Sequence, residues 1–375
     1  MQNPTDYPRQ DLTTAQVVQV IQNSASIQID KGMELLDQNL NVLDDISDSF
    51  GSGSTVTRDS YAILHASGTF NISRDLHWGE AIVRPYTVLT DGIITAKFYM
   101  GAYYVSVPQR DFSTDPPVYA VSGFDILNGL DDPVGDAVSV PAGQLYTDAI
   151  EGILIARGYT QYSIDRTNTA TLPADKVWAF DQQLTWLTVV NDLCAAIGYQ
   201  GIFSDWWGVL RVQQYITPIQ RSPEWVYNQD PSTSMLSPKR DLLFDFFASP
   251  NKWVFYLNSN TNGAAPMEGA GMYTFVNQSD GPTSVDERAG RVITKVLGVD
   301  AADQPSLVNL AQVTIDADKS VARVYQNATS PNPLHWHFDR IVLSDNAVGT
   351  WIDAQATKWT YDFDGADMTH EWRFL

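Results

Sequence analysis

Tryptophan and aspartate are the residues of this chain with the most chemical reach. Two of its 11 Trp stand side by side in Asp205-Trp206-Trp207-Gly208, between two short apolar runs that read as the arms of a hairpin. Exposed indoles at such a tip stack on sugar rings. A pair of carboxylates across an aromatic cleft would add glycosidic hydrolysis. With 37 Asp in the chain, however, some pair always looks plausible, and none can be singled out. Trp206 and Trp207 are therefore the best sugar-stacking or partner-contact candidates. Packing against an interface or a neighbouring core is the weightier expectation for them.

Other constellations are thinner. His335 and His337, in Leu334-His-Trp-His-Phe338, would share one face of a strand and could pair on a metal. With five His in all and no Cys nearby, two partly exposed strand histidines are expected instead. The run Asp362-Phe-Asp364-Gly365-Ala-Asp367 half-resembles a calcium loop but lacks a Glu at its twelfth position, so a hairpin turn is expected. Cys194 is the only cysteine, which rules out an intrachain disulfide and a thiolate zinc site. It falls on the apolar face Leu187, Val190, Cys194, Ile197, where a buried inert thiol is expected. No phosphate-cradling glycine loop, zinc helix or nucleophile elbow occurs. No cofactor, metal or catalytic residue is assigned.

The elements that would position these residues can be read from periodicity. Phe70 and Ile72 alternate with Thr69, Asn71 and Ser73, as in a half-buried strand. Runs 83–89 and 93–107 flank Asp91-Gly92, suited to a type I′ hairpin turn. With a further strand over 118–126, residues 56–127 read as an antiparallel β region, preceded by a polar stretch that ends in Gly51-Ser-Gly-Ser-Thr55, a flexible loop tip or linker. Leu145, Ala149, Ile150, Ile153 and Leu154 predict a helix stopped at Gly158, and the Cys194 helix should stop at Gly198. Prolines 218, 223, 231 and 238 predict a boundary. Beyond it, strands are expected at 253–257 and 291–299, with loop over 258–290. A helix follows, with Leu310, Val313, Ala317, Val321 and Val324 on one face. At the C-terminus a hairpin should set Tyr361 opposite Met368, Trp359 opposite His370 and Lys358 opposite Glu371. Its aromatic face, with Trp359, Tyr361 and Trp372, must cover a core or a neighbouring subunit, and it is the candidate interface face.

The fold class expected is β-rich α+β, with two antiparallel β domains flanking a mixed α/β region. Asp outnumbers Glu by 37 to 7, which suits a chain of many turns, because Asp favours caps and turns over helix interiors. GC-rich codon bias is the plainer alternative. The net charge of −21 disfavours a grip on nucleic acid or an anionic membrane. No stretch approaches 18 consecutive apolar residues and no signal peptide is recognisable, so a soluble chain with no membrane span is expected.

Two stretches carry a family resemblance. Thr57-Arg-Asp59, Gly68-Thr-Phe-Asn-Ile-Ser-Arg74, Leu76, Trp78-Gly79 and Arg84-Pro-Tyr86 resemble the N-terminal β region of minor tail proteins from long-tailed actinobacterial phages. Trp186, Asn191, Leu193, Ile197-Gly-Tyr199 and Gly208-Val-Leu-Arg-Val212 are similar to the helix-plus-hairpin middle region of phage tail hubs. The resemblance implies a baseplate or tail-tip hub with no catalytic residue. It implies an arm and first tube-like β domain at 1–130, an α/β domain at 131–235 and a second tube-like β domain with one helix at 236–375. Such hubs are homotrimers whose paired tube-like domains form a pseudo-sixfold ring joining a sixfold tail tube to a threefold tip. The partners implied are a distal tail ring protein, a tape-measure protein and other minor tail or fibre proteins. DNA would pass through the channel without specific binding. Because the chain stops at Leu375, any fibre, spike or lytic domain is expected on a separate chain. The alternatives are a carbohydrate- or receptor-binding tail component and a glycoside hydrolase.

Overall fold

A computed structural model describes residues 11–22, 27–78, 80–106, 108–110, 113, 117–179, 184–229, 236–244, 247, 249–258, 266–321, 323–345, 349–365 and 367–375. The fold is β-rich α+β, built on one fifteen-stranded sheet with three smaller sheets and four helices among the described residues. The large sheet is assembled from both ends of the chain. Its path runs from Leu236–Phe244 through Arg323–Thr329, Met368–Phe374 and Gly349–Asp362. It then crosses to Thr55–Asp59, Ala66–Ile72, Tyr119–Asp125, Tyr103–Val105, Ile82–Thr90, Gln28–Leu36 and Val42–Asp45. The seam lies between Thr55–Asp59 and Gly349–Asp362, antiparallel, with Val56 opposite Tyr361 and Arg58 opposite Trp359.

The C-terminal hairpin has the expected register: Tyr361 faces Met368, Trp359 faces His370 and Lys358 faces Glu371. Its aromatic face is not an interface, which corrects that reading of Trp359, Tyr361 and Trp372. They are 2%, 1% and 0% exposed and lie in this chain's own core with Phe70, Tyr103 and Tyr227. At ~25 cal/mol per Å2 and ~150–250 Å2 per ring, each contributes about 4–6 kcal/mol of gross burial. A face of that size is covered by the nearest apolar surface, here the strands across the seam.

Helix α1 (Thr14–Gln22) lies in the N-terminal stretch that periodicity left as polar. A capping box starts it: the Gln16 amide donates to Thr13 Oγ1 at 3.3 Å, and the Thr13 amide donates to Gln16 Oε1 at 2.8 Å. Val17, Val20 and Ile21 bury its inner face. Helices α2 (Tyr146–Ala156) and α3 (Trp186–Ala196) form where expected and stop at Gly158 and Gly198, both at positive φ. Cys194 is fully buried between them, and burial pushes its thiol pKa up to about 12, so it is not a nucleophile at neutral pH.

Helix α4 (Gln304–Val321) covers a four-stranded sheet that includes Lys252–Leu257 and Thr294–Val299. Its buried face is Leu307, Ala311 and Ile315 on Trp253 and Phe255, not Leu310, Val313 and Ala317, which are half-buried. Val324 lies beyond the helix, on the strand Arg323–Thr329. The helix is apolar on more than one side, so the sheet it meets selects the face. That sheet also takes the strand Gly271–Val276 from the stretch read as loop.

Two turns sharpen what the sequence suggested. Gly51 to Ser54 form a closed turn before the strand Thr55–Asp59, the loop tip of the two readings and not the linker: Ser54 is buried, its hydroxyl donates to Gly51 O at 2.9 Å, and it accepts from the Asn71 amide at 3.1 Å. The turn after Thr90 is centred on Gly92-Ile93, with the Asp91 amide donating to Ile94 O at 3.2 Å. Only Gly92 has a positive φ there, whereas type I′ needs two such residues. The proline-rich stretch holds two strands, Trp225–Tyr227 and Leu236–Phe244, while Pro231 lies outside the described residues.

Candidate functional site

The hairpin tip that carries Trp206 and Trp207 is organised by one carboxylate. Asp205, 1% exposed, accepts from the amides of Trp207 and Val209 at 2.9 and 3.0 Å, and its second oxygen takes Arg211 at 2.6 Å. Gly208 follows at φ +89, and a Cβ there would sit 2.5 Å from Ala102 Cβ, so the tip lies hard against the N-terminal β region. The Gly101 amide donates to Trp206 O at 3.0 Å. Asp205→Ala is expected to cost about 1.5–3 kcal/mol, because charge-assisted bonds to a buried carboxylate are lost together. Urea denaturation measures that cost, and a change under 0.5 kcal/mol would refute this role.

Both indoles are half-buried, which changes their meaning. Trp206 meets Trp336 edge-on at 5.2 Å, and Trp207 lies 4.7 Å from the Tyr99 ring with the Arg84 guanidinium over it at 5.2 Å. Tyr99 and Arg84 belong to the N-terminal strands and Trp336 to the C-terminal third, so the two side chains brace three parts of the chain. Neither is a free platform. Arg58, 2% exposed, completes the junction by stacking on Trp336 at 4.1 Å while donating to Met100 O at 3.1 Å. Behind it Asp125 is fully buried and accepts from the Leu127 amide and Ser204 Oγ, each at 3.0 Å. Burial pushes its pKa above the usual carboxylate range, against the pull of Arg58 and those donors.

His335 and His337 are neither on a strand nor partly exposed. They sit on an irregular segment between Arg323–Thr329 and Arg340–Asp345, at 2% and 5% exposure. The alternation that suggested a strand comes from burial on all sides. Tyr227 OH accepts from Asn332 Nδ2 at 3.2 Å and shares a hydrogen bond with His335 Nε2 at 2.5 Å. His335 Nδ1 faces Asp339 Oδ2 at 3.6 Å. His337 Nδ1 bonds Ser60 Oγ at 2.9 Å. The Trp359 ring lies between the two, 6.0 Å from His335 and 5.4 Å from His337, and His370 stacks on Trp372 at 4.3 Å. These histidines are core groups. Among the described residues no group of three or more His, Cys, Asp or Glu is placed to hold a metal ion. Asp364, in the half-resembling calcium loop, takes the Lys31 ammonium and the Gly53 amide instead.

The buried Cys194, the hairpin turn at Asp364 and the packing of the Trp206-Trp207 hairpin tip on a neighbouring core were legible in the sequence. The Arg58–Trp336–Trp206 stack joins residues that no local pattern connects.

This architecture is the fold of phage and prophage tail proteins, as comparison with solved structures shows. The tail protein of Neisseria meningitidis MC58 superimposes with a TM-score of 0.63 at 13% identity, covering 92% of this chain and 96% of that one. The 43 kDa tail protein of prophage MuSo2 from Shewanella oneidensis gives 0.58 at 11% identity, covering 92% and 98%. Prophage tail protein gp18 from Listeria monocytogenes EGD-e gives 0.52 at 11%, covering 91% and 94%. No protein-family model matches the chain, and no curated protein does. No helix of the described residues is long and apolar enough to cross a membrane.

Proposed function

We propose that this chain is a structural, non-catalytic hub of a phage tail tip, placed in the virion of a long-tailed phage whose host, on the sequence resemblance, is actinobacterial. The observation that carries this reading is the near-complete mutual coverage with tail proteins, in which little of either chain is left over for another task. In this reading three copies form a pseudo-sixfold ring between the sixfold tube and the threefold tip. The division at 130 and 235 then separates two tube-like β domains from the α/β domain between them. Its neighbours are the distal tail ring protein, the tape-measure protein and other minor tail or fibre proteins.

Two physical features support assembly. The large sheet ends in Val42–Asp45 and Leu236–Phe244, each with one bonded neighbour among the described residues. Strand edges of that kind call for covering, and Val42, Leu43 and Leu243 stand 51%, 63% and 54% exposed beside them. Charge is the second feature. Three copies at −21 carry −63, and an acidic lumen lets a phosphate backbone slide through instead of sticking. Imaging of assembled particles is expected to find three copies around the axis at the end of the tail. A twofold arrangement, or a position away from the tail, would sink the proposal.

A further inference from the structure

Beside the Asp205–Gly208 tip lies a cavity of about 410 Å3, walled by the hairpin on one side and the 336–338 segment on the other. That volume falls within the ~300–1,000 Å3 range of small-molecule sites. Two of its rings, those of Trp206 and Trp336, come from the junction already described, and Phe338 adds a third. Phe338 holds φ at +60, a backbone region bulky residues rarely enter, and such outliers gather at binding sites. The Arg221 guanidinium fixes that conformation by donating to Phe338 O at 2.7 Å.

The polar groups of the cavity decide what it would take. Its charges are matched internally: Arg211 is on Asp205 at 2.6 Å, and Arg221 is on Glu224 at 2.6 Å. An anion or cation would therefore have to compete with an existing partner. Amides are what the cavity leaves open. The side chains of Gln200, Gln213 and Gln214 line it and make no hydrogen bond among the described residues. Gln200 is only 9% exposed, and the indole N–H groups of Trp206 and Trp336 and the Nε2 of His337, all in the lining, are buried without a hydrogen-bond partner, which favours a polar ligand that bonds them. A purely apolar ligand would strand those amides. Rings for C–H faces, amides for hydroxyls and no charge to spare fit one chemical class.

We propose that this cavity binds a neutral saccharide, seated against Trp206 and Phe338 with hydroxyls on the amides of Gln200 and Gln214. The sugar candidate of the sequence thereby moves from the hairpin tip to the hollow behind it. The full-length protein should be tested by saturation-transfer NMR against methyl glucoside, galactoside, mannoside and arabinofuranoside, and N-acetylglucosamine. Transfer to the ring protons of at least one is expected. Gln200→Ala should weaken it about 2- to 10-fold, as loss of one neutral hydrogen bond predicts. The double variant Gln213→Ala/Gln214→Ala alters exposed side chains, so it keeps the fold while testing the same wall. Silence across all five sugars overturns the proposal, and so does transfer that neither variant reduces. Either result leaves the tail-hub reading standing, because that reading does not depend on this cavity.

Discussion

Glu34→Ala is expected to destabilise the protein by about 3–5 kcal/mol, the cost of removing one partner from a buried ion pair. Glu34 is 5% exposed and lies directly opposite Arg84 across the Gln28–Leu36 and Ile82–Thr90 strands. Arg84 donates to one of its oxygens at 2.7 and 3.0 Å, while Lys97 and Tyr99 OH donate to the other at 2.7 and 2.9 Å. Burial alone would raise the carboxyl pKa. The hydrogen bonds and charges of Lys97 and Arg84 outweigh it, and the group ends below its usual range. A depressed carboxylate stabilises above its unfolded pKa of ~4.3, and that contribution is lost as pH falls through the folded value. In Glu34→Ala the Arg84 guanidinium stays buried against Tyr99 and Trp207 without its carboxylate. Denaturant unfolding at pH 7 reads the loss directly, and a cost below about 1 kcal/mol would show that water reaches the site.

Local signals carried the sequence reading as far as single elements. Helices α2 and α3 follow from apolar spacing closed by Gly158 and Gly198, and the last hairpin follows from parity about Asp364-Gly365. The pairing of Thr57 with Thr360, whose hydroxyls meet at 2.8 Å, joins residues 303 apart and leaves no local trace. The aromatic face of the hairpin was legible, but its cover depended on that long-range seam, so the sequence left a core and a neighbouring subunit both open. Trp206 and Trp207 pack against a neighbouring core, the weightier of the two expectations, but nothing near a turn reveals which rings, Trp336 and Tyr99, receive them. His335 and His337 failed differently: alternation reads as a half-buried strand, but this segment is a loop enclosed on all sides by groups such as Ser60, Tyr227 and Trp359, so its alternation marks no strand face.

The seam also makes the fold sensitive to mild acid. Burial holds the pKa of both His337 and His370 well below the normal imidazole value. The neighbouring His65 and Arg58 add repulsion for His337 and His335 adds it for His370, while Asp339 opposes the shift at His337. Each ring has one nitrogen spent on a hydroxyl, Ser60 for His337 and Thr329 for His370, and the other buried without a partner. A second proton would therefore be an unpaired charge in the core. The unfolded chain binds that proton below pH ~6.5 and the folded chain does not, so stability falls as pH drops through 6.5. Each such group costs about 1.4 kcal/mol per pH unit, or about 3 kcal/mol per unit for the pair. Glu34 adds no slope in this window, because its carboxyl is ionised in both states above pH ~5. Melting temperatures at pH 7.5, 6.5, 5.8 and 5.2 should then drop with growing steepness. The double variant His337→Phe/His370→Phe keeps ring volume and removes both titrations, so it should melt lower at pH 7.5 but lose less on acidification, the slope that remains coming from His65 and His335, whose pKa burial also lowers. An acid slope equal to that of the unaltered protein would assign the effect to groups away from the seam.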